Sequence, residues 1–301
     1  MDPHHHASRS QDTGRAFALG VALNAAFVVV EAGFGFYADS LALLADAGHN
    51  LSDVLGLALA WGAAALARRP PGGRFTYGLR GSTIWAALAN AMILLVAVGA
   101  IAWEALNRFG APQPVAAEIV IWVALAGALV NGASAALFLR SRKHDLNARG
   151  AFLHMAADAA ISLGVAIAGV AILWSGWGWL DSAVSLVIAA FIVAGTWGLM
   201  REALALALHS APREIELPAV RAQLEALPGV TGVHDLHVWA MSTTEIALTA
   251  HLMIPSGHPG DAFLASAAHA LEARFRIGHA TLQIERGDGA APCHLAPDDV
   301  V

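Results

Sequence analysis

The sequence His-Asn-Leu-Ser-Asp at 49–53, inside a long apolar run, and its counterpart His-Met-Ala-Ala-Asp at 154–158 decide the fold. Each stretch places a histidine four residues before an aspartate, so that in a helix both side chains project from one face, one turn apart. A charge near the bilayer centre costs about 2.5–3.5 kcal/mol on insertion scales and usually marks function. Two imidazoles and two carboxylates would supply the four ligands that tetrahedral Zn²⁺ prefers. The pattern predicts a cation transport site between two membrane helices.

The composition is that of a membrane protein. The chain has 301 residues, of which 57% are hydrophobic and 13% are charged, and its mean hydropathy is +0.59. These values are too apolar for an ordinary soluble protein. The net charge of −6 argues against a nucleic-acid partner, and the single cysteine, Cys293, excludes an intrachain disulfide. Residues 1–14, with histidines at 4–6, are expected to be a flexible tail that is either a tag or native.

Six windows are apolar and long enough to span a bilayer, and together they predict a transmembrane domain over residues 15–208. The windows are 16–37, 41–66, 81–106, 116–139, 150–174 and 180–207. Arginine and lysine concentrate before the first window, between the second and third, and between the fourth and fifth. By the positive-inside rule both termini are expected on the cytoplasmic side, in the plasma (inner) membrane of the cell.

The chain after residue 208 has a different pattern. An amphipathic helix is predicted over 212–227, two alternating strands over 232–240 and 244–254, a second helix over 261–276 and a last strand over 281–285. This order predicts a small α+β domain of αββαβ, ferredoxin-like type over residues 209–290, with a flexible tail over 291–301. A domain of this size has a marginal core, which favours association with a second copy of the chain.

The alternative interpretation of the two His/Asp pairs is that these polar groups only hold helices together. The repetition of the pair on two spans favours a metal site instead. Imidazole binds a metal only when it is neutral, so loading of the site displaces protons, and exchange of metal for protons follows. Asp46 shares roughly the same helix face. Asp46 could be a fifth ligand, a partner that orients His49, or a contact between helices or between subunits. Of these roles, the orientation of His49 is preferred.

A second candidate metal site falls in the C-terminal domain. His234 and His237 begin one predicted strand and His251 lies near the end of its neighbour, so a hairpin turning at 241–243 brings them together. Further ligands could come from the same subunit or a partner, and the candidates are His279, Glu285, Cys293 and His294. The alternative is a histidine-rich solvated surface. The loop over residues 74–80 has no metal ligand and is expected to position a helix at the membrane surface.

Taken together, these motifs resemble the cation diffusion facilitator family, and most closely its zinc-transporting branch. The resemblance runs from about residue 15 to residue 295. The segments that carry it are Ser-Leu-Ala-Leu-Leu-Ala-Asp-Ala-Gly-His at 40–49 continuing to Asp53, Arg-Phe-Thr-Tyr-Gly at 74–78, residues 154–158, His-Asp-Leu-His-Val-Trp at 234–239, and His-Ala-Thr-Leu-Gln-Ile-Glu at 279–285.

The resemblance implies a six-span homodimer, Y-shaped or V-shaped, that exports Zn²⁺ from the cytoplasm in exchange for H⁺ by alternating access. It places the transport site on four residues, His49, Asp53, His154 and Asp158, and it associates a histidine at the first of these with selectivity for zinc over cadmium. The metal site that some members carry between spans two and three is expected to be missing. In the cytoplasmic site, His234 and His251 match the family, but Gln283 stands where some members have a ligand histidine, which argues against a full dinuclear centre.

Three other functions compete with zinc export. An intramembrane metal hydrolase would need an open coordination position and a general base. No His-Glu-x-x-His helix is present, so an enzyme is not expected. A metal sensor without net transport has only the histidine-rich tail in its favour. A transporter of Cd²⁺, Co²⁺, Ni²⁺, Fe²⁺ or Mn²⁺ stays open, because geometry must discriminate among these ions. No cofactor is expected; Zn²⁺ is the substrate and a candidate regulatory ligand.

Overall fold

The computed structural model describes residues 25–110, 112–139, 146–287 and 293–295. It divides into two compact units, one built from residues up to 59 and from 89 to 199, the other from 60–88 and from 200 onward. The first unit holds most of the membrane helices. The second holds the C-terminal domain together with the connection between the second and third helices.

The predicted membrane spans are confirmed as helices. They are α1 (Ala25–Tyr37), α2 (Leu41–Ala67), α3 (Ser82–Gly110), α4 (Ala117–Phe138), α5 (Leu146–Ser175) and α6 (Trp179–Ala207). Helices α2 to α6 are long and apolar enough to cross a membrane. The predicted beginning of the first span, residues 16–24, lies outside the described residues.

Small residues let the helices of the first unit pack closely. Its core contains six buried alanines in the described residues, at positions 38, 42, 45, 124, 166 and 189, beside larger side chains. At Gly127 of α4, a Cβ atom would lie 2.9 Å from Phe27 Cε1 and 3.2 Å from Ser162 Oγ. The missing side chain therefore allows α1, α4 and α5 to meet at one point, as small residues do at membrane helix interfaces.

Asp181, in the first turn of α6, caps the beginning of α2. Its carboxylate accepts hydrogen bonds from the backbone N–H of Leu41 at 2.7 Å and from the hydroxyl of Ser40 at 2.5 Å. The carboxylate is only 3% exposed. It thus satisfies donors that a buried helix end would otherwise leave without partners, and it ties α6 to α2, the helix that carries His49.

Replacing Asp181 with alanine is expected to destabilise the helical unit by about 1–2 kcal/mol, the usual cost of losing such a cap. The measurement is thermal unfolding of the purified protein in detergent. Glu118→Ala is the control, because Glu118 is an exposed acidic residue in the first turn of α4. Equal melting temperatures for the two variants would contradict the capping role.

The C-terminal domain has the predicted αββαβ order. Its elements are α7 (Leu217–Glu225), β1 (Gly232–Ala240), β2 (Ile246–Met253), α8 (Asp261–Phe275) and β3 (Ile277–Glu285). The sheet order is β1-β2-β3, with β1 antiparallel and β3 parallel to β2. Leu224 of α7, Leu248 of β2 and Leu271 of α8 are fully buried in one core.

Two boundaries differ from the sequence prediction. Helix α7 begins at Leu217 rather than near residue 212, with a proline in its first turn, where the missing N–H has no helical partner to lose. Strand β3 begins at Ile277 rather than 281, because Arg276 ends α8 in the left-handed conformation, at φ 59°, and the chain turns directly into the strand.

The connection between α2 and α3 contacts the C-terminal domain inside the second unit. Arg80 forms an ion pair with Glu245, the Thr83 hydroxyl accepts a hydrogen bond from the Thr243 backbone N–H at 3.0 Å, and the Tyr77 ring packs edge-on against His279. The sequence predicted only a helix-positioning role for this loop. The loop therefore also contacts the β1–β2 turn and β3.

Candidate metal centres

The four residues predicted for the membrane site converge between α2 and α5. His49 Nε2 lies 3.4 Å from Asp158 Oδ1 and 3.9 Å from Asp53 Oδ2. His154 Nε2 lies 3.1 Å from Asp53 Oδ2 and 3.7 Å from Asp158 Oδ2. The two imidazole rings meet edge-on with their centres 6.0 Å apart. The four-residue spacing on each helix thus projects two imidazoles and two carboxylates into one small volume.

These distances suit one tetrahedral ion. Zn²⁺ bonds of about 2.0–2.2 Å to nitrogen and oxygen place neighbouring ligand atoms about 3.3–3.6 Å apart in a tetrahedron. The four imidazole-to-carboxylate separations of 3.1–3.9 Å bracket that range. Ligand atoms of Asp53, His154 and Asp158 all lie within 4.8 Å of one another, and His49 is outside this group of three. Exposure is uneven across the site, since Asp158 is 3% exposed and His154 is 49% exposed. Asp158 is therefore the buried member of the group and His154 the most exposed one.

Asp46 makes a contact other than the one preferred from the sequence. Its Oδ2 accepts a hydrogen bond from Ser162 Oγ at 2.7 Å, which joins α2 to α5. Nδ1 of His49 is buried without a hydrogen-bond partner in the described part of the chain. Of the three roles considered for Asp46, this hydrogen bond therefore corresponds to the contact between helices. Among the described residues, Asp46 makes no hydrogen bond that would orient His49.

A second group of ligands lies in the C-terminal domain. His234 of β1 pairs in register with His251 of β2, as the hairpin predicted, and both side chains are buried. Glu285 of β3 lies 3.2 Å from His234 Nε2 and 3.0 Å from His251 Nδ1. Cys293 Sγ lies 3.6 Å from His251 Nδ1. Ligand atoms of all four residues lie within 4.8 Å of one another.

The remaining C-terminal candidates lie elsewhere. A β-bulge between His234 and His237 puts Asp235 in the left-handed region, at φ 48°. The Asp235 carboxylate contacts both His237, at 2.8 Å, and His251, at 3.3 Å. In the described residues, Asp235 thus connects His237 to the ligand group of His234, His251, Glu285 and Cys293. His279 packs on a tyrosine of the α2–α3 loop, and His294 is exposed. Gln283 donates a hydrogen bond to Glu285 at 2.8 Å and is not in the cluster.

The electrostatics of the C-terminal group favour a charged carboxylate. Burial alone would raise the pKa of Glu285, but hydrogen bonds from Gln283 and Cys293 and the nearby imidazoles of His234 and His251 outweigh burial and lower it. Nε2 of His234 is buried, and in the described part of the chain it has the 3.2 Å contact with Glu285 but no hydrogen bond of good geometry. Two imidazoles, a carboxylate and a thiol form a donor set that suits a tetrahedral divalent ion such as Zn²⁺.

All four members of this group are among the candidates that the sequence offers, His234 and His251 from the predicted hairpin and Glu285 and Cys293 from the further ligands. Cys293 follows the last strand by eight residues, in a segment without periodicity, so only its residue type signalled a ligand. The hairpin register that aligns His234 with His251 could be inferred from the alternating pattern. No local pattern showed that the chain returns to this point after β3.

Comparisons with known proteins agree with this architecture. The family model described as the cation efflux transmembrane domain matches residues 17–206, and the one described as the cytoplasmic domain of cation efflux proteins matches residues 212–287. The zinc transporter ZitB of Escherichia coli is 36% identical over 94% of this chain and 88% of its own length.

Two further relatives have names that are not limited to zinc. The metal cation efflux system protein CzcD of Cupriavidus metallidurans is 33% identical over 94% of this chain and 88% of its own length. The cadmium, cobalt and zinc/H⁺-K⁺ antiporter of Bacillus subtilis is 31% identical over 86% of this chain and 85% of its own length. The family models, the relatives and the five long apolar helices lead to one conclusion: the chain is a multi-pass membrane protein that belongs to the cation efflux family.

Proposed function

We propose that the protein exports Zn²⁺ from the cytoplasm in exchange for protons, by alternating access of the site between α2 and α5. The observation that carries this proposal is the cluster of Asp53, His154 and Asp158 between the membrane helices, with His49 in contact with both of its carboxylates. Four ligands leave no open position for an activated water, so the arrangement favours binding and release of an ion over catalysis.

The donor set and the relatives support zinc as the main substrate. Imidazole and carboxylate ligands suit Zn²⁺ and disfavour Cu⁺, which prefers thiolates. Relatives named as zinc transporters align over nearly the whole chain, whereas the Bacillus subtilis relative is named for cadmium and cobalt as well as zinc. Cadmium and cobalt are therefore the alternative substrates to test first.

Proton exchange follows from the chemistry of the ligands. An imidazole must be neutral to bind a metal, and histidine titrates near physiological pH, so protons and metal compete for the same nitrogen atoms. His49 and His154 each face a carboxylate that would hold the protonated ring when the metal leaves. A protonated site would thus retain ion pairs while it returns to the cytoplasmic side.

The proposed arrangement in the cell is a homodimer in the plasma (inner) membrane, with both termini and the αββαβ domain in the cytoplasm. The excess of arginine in the α2–α3 and α4–α5 connections supports this orientation. Contact between the α2–α3 loop and the αββαβ domain supports a shared side. By the same reasoning, the transport domain covers residues 15–208 and the cytoplasmic domain covers residues 209–290.

Flux in vesicles tests the proposal. Purified protein is reconstituted into vesicles that contain a fluorescent zinc reporter, and zinc is added outside with or without an imposed pH gradient. Zinc entry accompanied by proton exit, and faster with the gradient acid inside, supports the proposal. Binding of zinc without flux would instead favour the metal-sensor function, and flux without proton movement would refute antiport.

The C-terminal group supports a regulatory metal site rather than a second transport site, because it lies in the domain outside the membrane helices. Replacing Cys293 with serine is expected to weaken zinc binding there by at least the 10–100-fold typical of a lost supporting partner. The measurement is chelator competition on full-length protein that carries Asp158→Ala to remove the membrane site. His294→Ala, an exposed neighbour, is the control, and equal affinity in both variants would exclude Cys293 as a ligand.

A further inference from the structure

Another pair of ionisable side chains lies inside the helical unit, apart from the cation site. Glu31 of α1 and Asp46 of α2 are both completely buried. Glu31 Oε2 accepts a hydrogen bond from Asn50 Nδ2 at 3.3 Å, and Asp46 Oδ2 accepts one from Ser162 Oγ at 2.7 Å. Neither carboxyl group belongs to the cluster of metal ligands on α2 and α5.

The two carboxyl groups lie within hydrogen-bonding reach of each other. Each keeps one buried oxygen, Oε1 of Glu31 and Oδ1 of Asp46, that has no donor among the described residues. Two ionised carboxylates at such a separation repel strongly in a medium of low dielectric constant. A single proton on one carboxyl group would remove the repulsion between two full charges and would supply the hydrogen-bond donor that the pair lacks among the described residues.

Few charged groups near Glu31 and Asp46 could neutralise their carboxylates. No arginine or lysine pairs with either carboxyl group in the part of the chain that the structure describes. The other titratable groups that act on the pair there are His49 of α2 and Asp158 of α5, which are of opposite sign when charged. The donors that hold the pair, an amide and a hydroxyl, are neutral. The chemistry of this pocket is therefore that of a proton-binding site.

Both helices that carry the cation site, α2 and α5, also contribute to this pair. Asp46 lies three residues before His49 on α2, and its donor Ser162 lies four residues after Asp158 on α5, so each connection is about one helical turn. A divalent cation bound by His49 and Asp158 would stabilise a fully ionised pair, because opposite charges attract strongly at this range in a protein interior.

We propose that Glu31 and Asp46 bind one proton between them and form a proton site, separate from the metal ligands, that empties when a divalent cation binds. The inference rests on the proposed antiport and adds one proton to what is exchanged. When the cation arrives, the O–H bond of the shared proton breaks, the proton passes to water and both carboxylates remain ionised. When the cation leaves, the pair takes up a proton again. Ionisable groups buried in membrane helices are commonly proton relays of this kind.

Glu31→Gln tests the proposal. The amide keeps the shape of the carboxyl group, accepts from Asn50 and donates to Asp46, but it cannot release a proton. Zinc is titrated into purified full-length protein in buffers of different ionisation enthalpy, which gives the number of protons released per zinc bound. The variant is expected to release about one proton fewer than the wild type. Asp46→Asn should show the same loss, and it replaces Glu31→Gln if that variant does not fold.

Glu118→Gln is the matched control, because it removes an exposed carboxylate from a membrane helix and should leave the proton number unchanged. Zinc-induced infrared difference spectra provide a direct second measurement. The wild type should lose the carbonyl band of a protonated carboxyl group when zinc binds, and the Glu31 and Asp46 variants should lack that change.

The proton site would be overturned if both variants released as many protons as the wild-type protein. It would also be overturned if the wild-type protein showed no loss of the carboxyl band when zinc binds. These outcomes are distinct from failure of the proposed function, because the proton number is measured on binding and the antiport on flux. A wild type that binds zinc and releases protons but moves no zinc refutes antiport alone. A wild type that exchanges zinc for protons while Glu31→Gln and Asp46→Asn release the full number refutes only the shared proton.

Discussion

Zinc flux through reconstituted protein should fall by more than about 100-fold when Asp158 is replaced with alanine, because loss of a direct ligand exceeds the 10–100-fold cost of losing a supporting partner. Asp158 is the most buried of the four ligands and lies within 4 Å of both imidazoles. Its removal deletes the buried carboxylate of the site and leaves the more exposed Asp53 as the acidic partner of His49 and His154 in this cluster. No other described acidic residue occupies this position in the cluster.

Initial rates of zinc uptake into vesicles measure this effect. Glu118→Ala is the control for reconstitution, and circular dichroism together with size-exclusion chromatography establishes that Asp158→Ala is folded. His49→Ala is expected to lose flux in the same way, since the His49 ring is mostly buried and touches both carboxylates. Wild-type flux in a folded Asp158→Ala protein would remove the site assignment.

Replacing His49 with aspartate is expected to raise the ratio of cadmium to zinc flux by about tenfold, a free-energy difference of about 1.4 kcal/mol. The shorter carboxylate enlarges the site and can bind through two oxygens, which favours a larger ion that accepts more ligands. The imidazole offers one nitrogen at a fixed distance and suits a small tetrahedral ion. The resemblance to the zinc-transporting branch implies the same dependence on this position.

The measurement is a competition assay in which vesicles receive zinc and cadmium together and the contents are determined by mass spectrometry. His209→Asp is the matched control, because His209 is an exposed histidine outside the metal clusters. If His49→Asp transports both ions in the wild-type ratio, ligand type at this position does not set selectivity.

The membrane helices and the α2–α5 site were predictable because their signals are local. Each span is a continuous apolar run, and the helical period fixes which face His49 and Asp53 share. The repetition of the pair at His154 and Asp158 then indicated that two helices meet. The structure adds the distances between them and the exposure of each ligand, which depend on packing of whole helices.

The parts that the sequence did not predict depend on contacts between distant segments. Ser162 as the partner of Asp46 could not be deduced, because a hydroxyl on a helix has many potential acceptors. The cap that Asp181 forms on α2 joins residues about 140 positions apart. The bulge that separates His237 from the C-terminal cluster arises from the strained backbone at Asp235, which the alternating pattern of β1 does not reveal.

The central claim is that four side chains of α2 and α5 bind a single dehydrated divalent ion. Zinc X-ray absorption tests it most directly, on full-length protein in which His251→Ala and Cys293→Ser remove the C-terminal site. The predicted spectrum shows four nitrogen or oxygen ligands at about 2.0 Å, with outer-shell scattering from two imidazoles and no sulfur. A six-oxygen shell without imidazole scattering would contradict the claim.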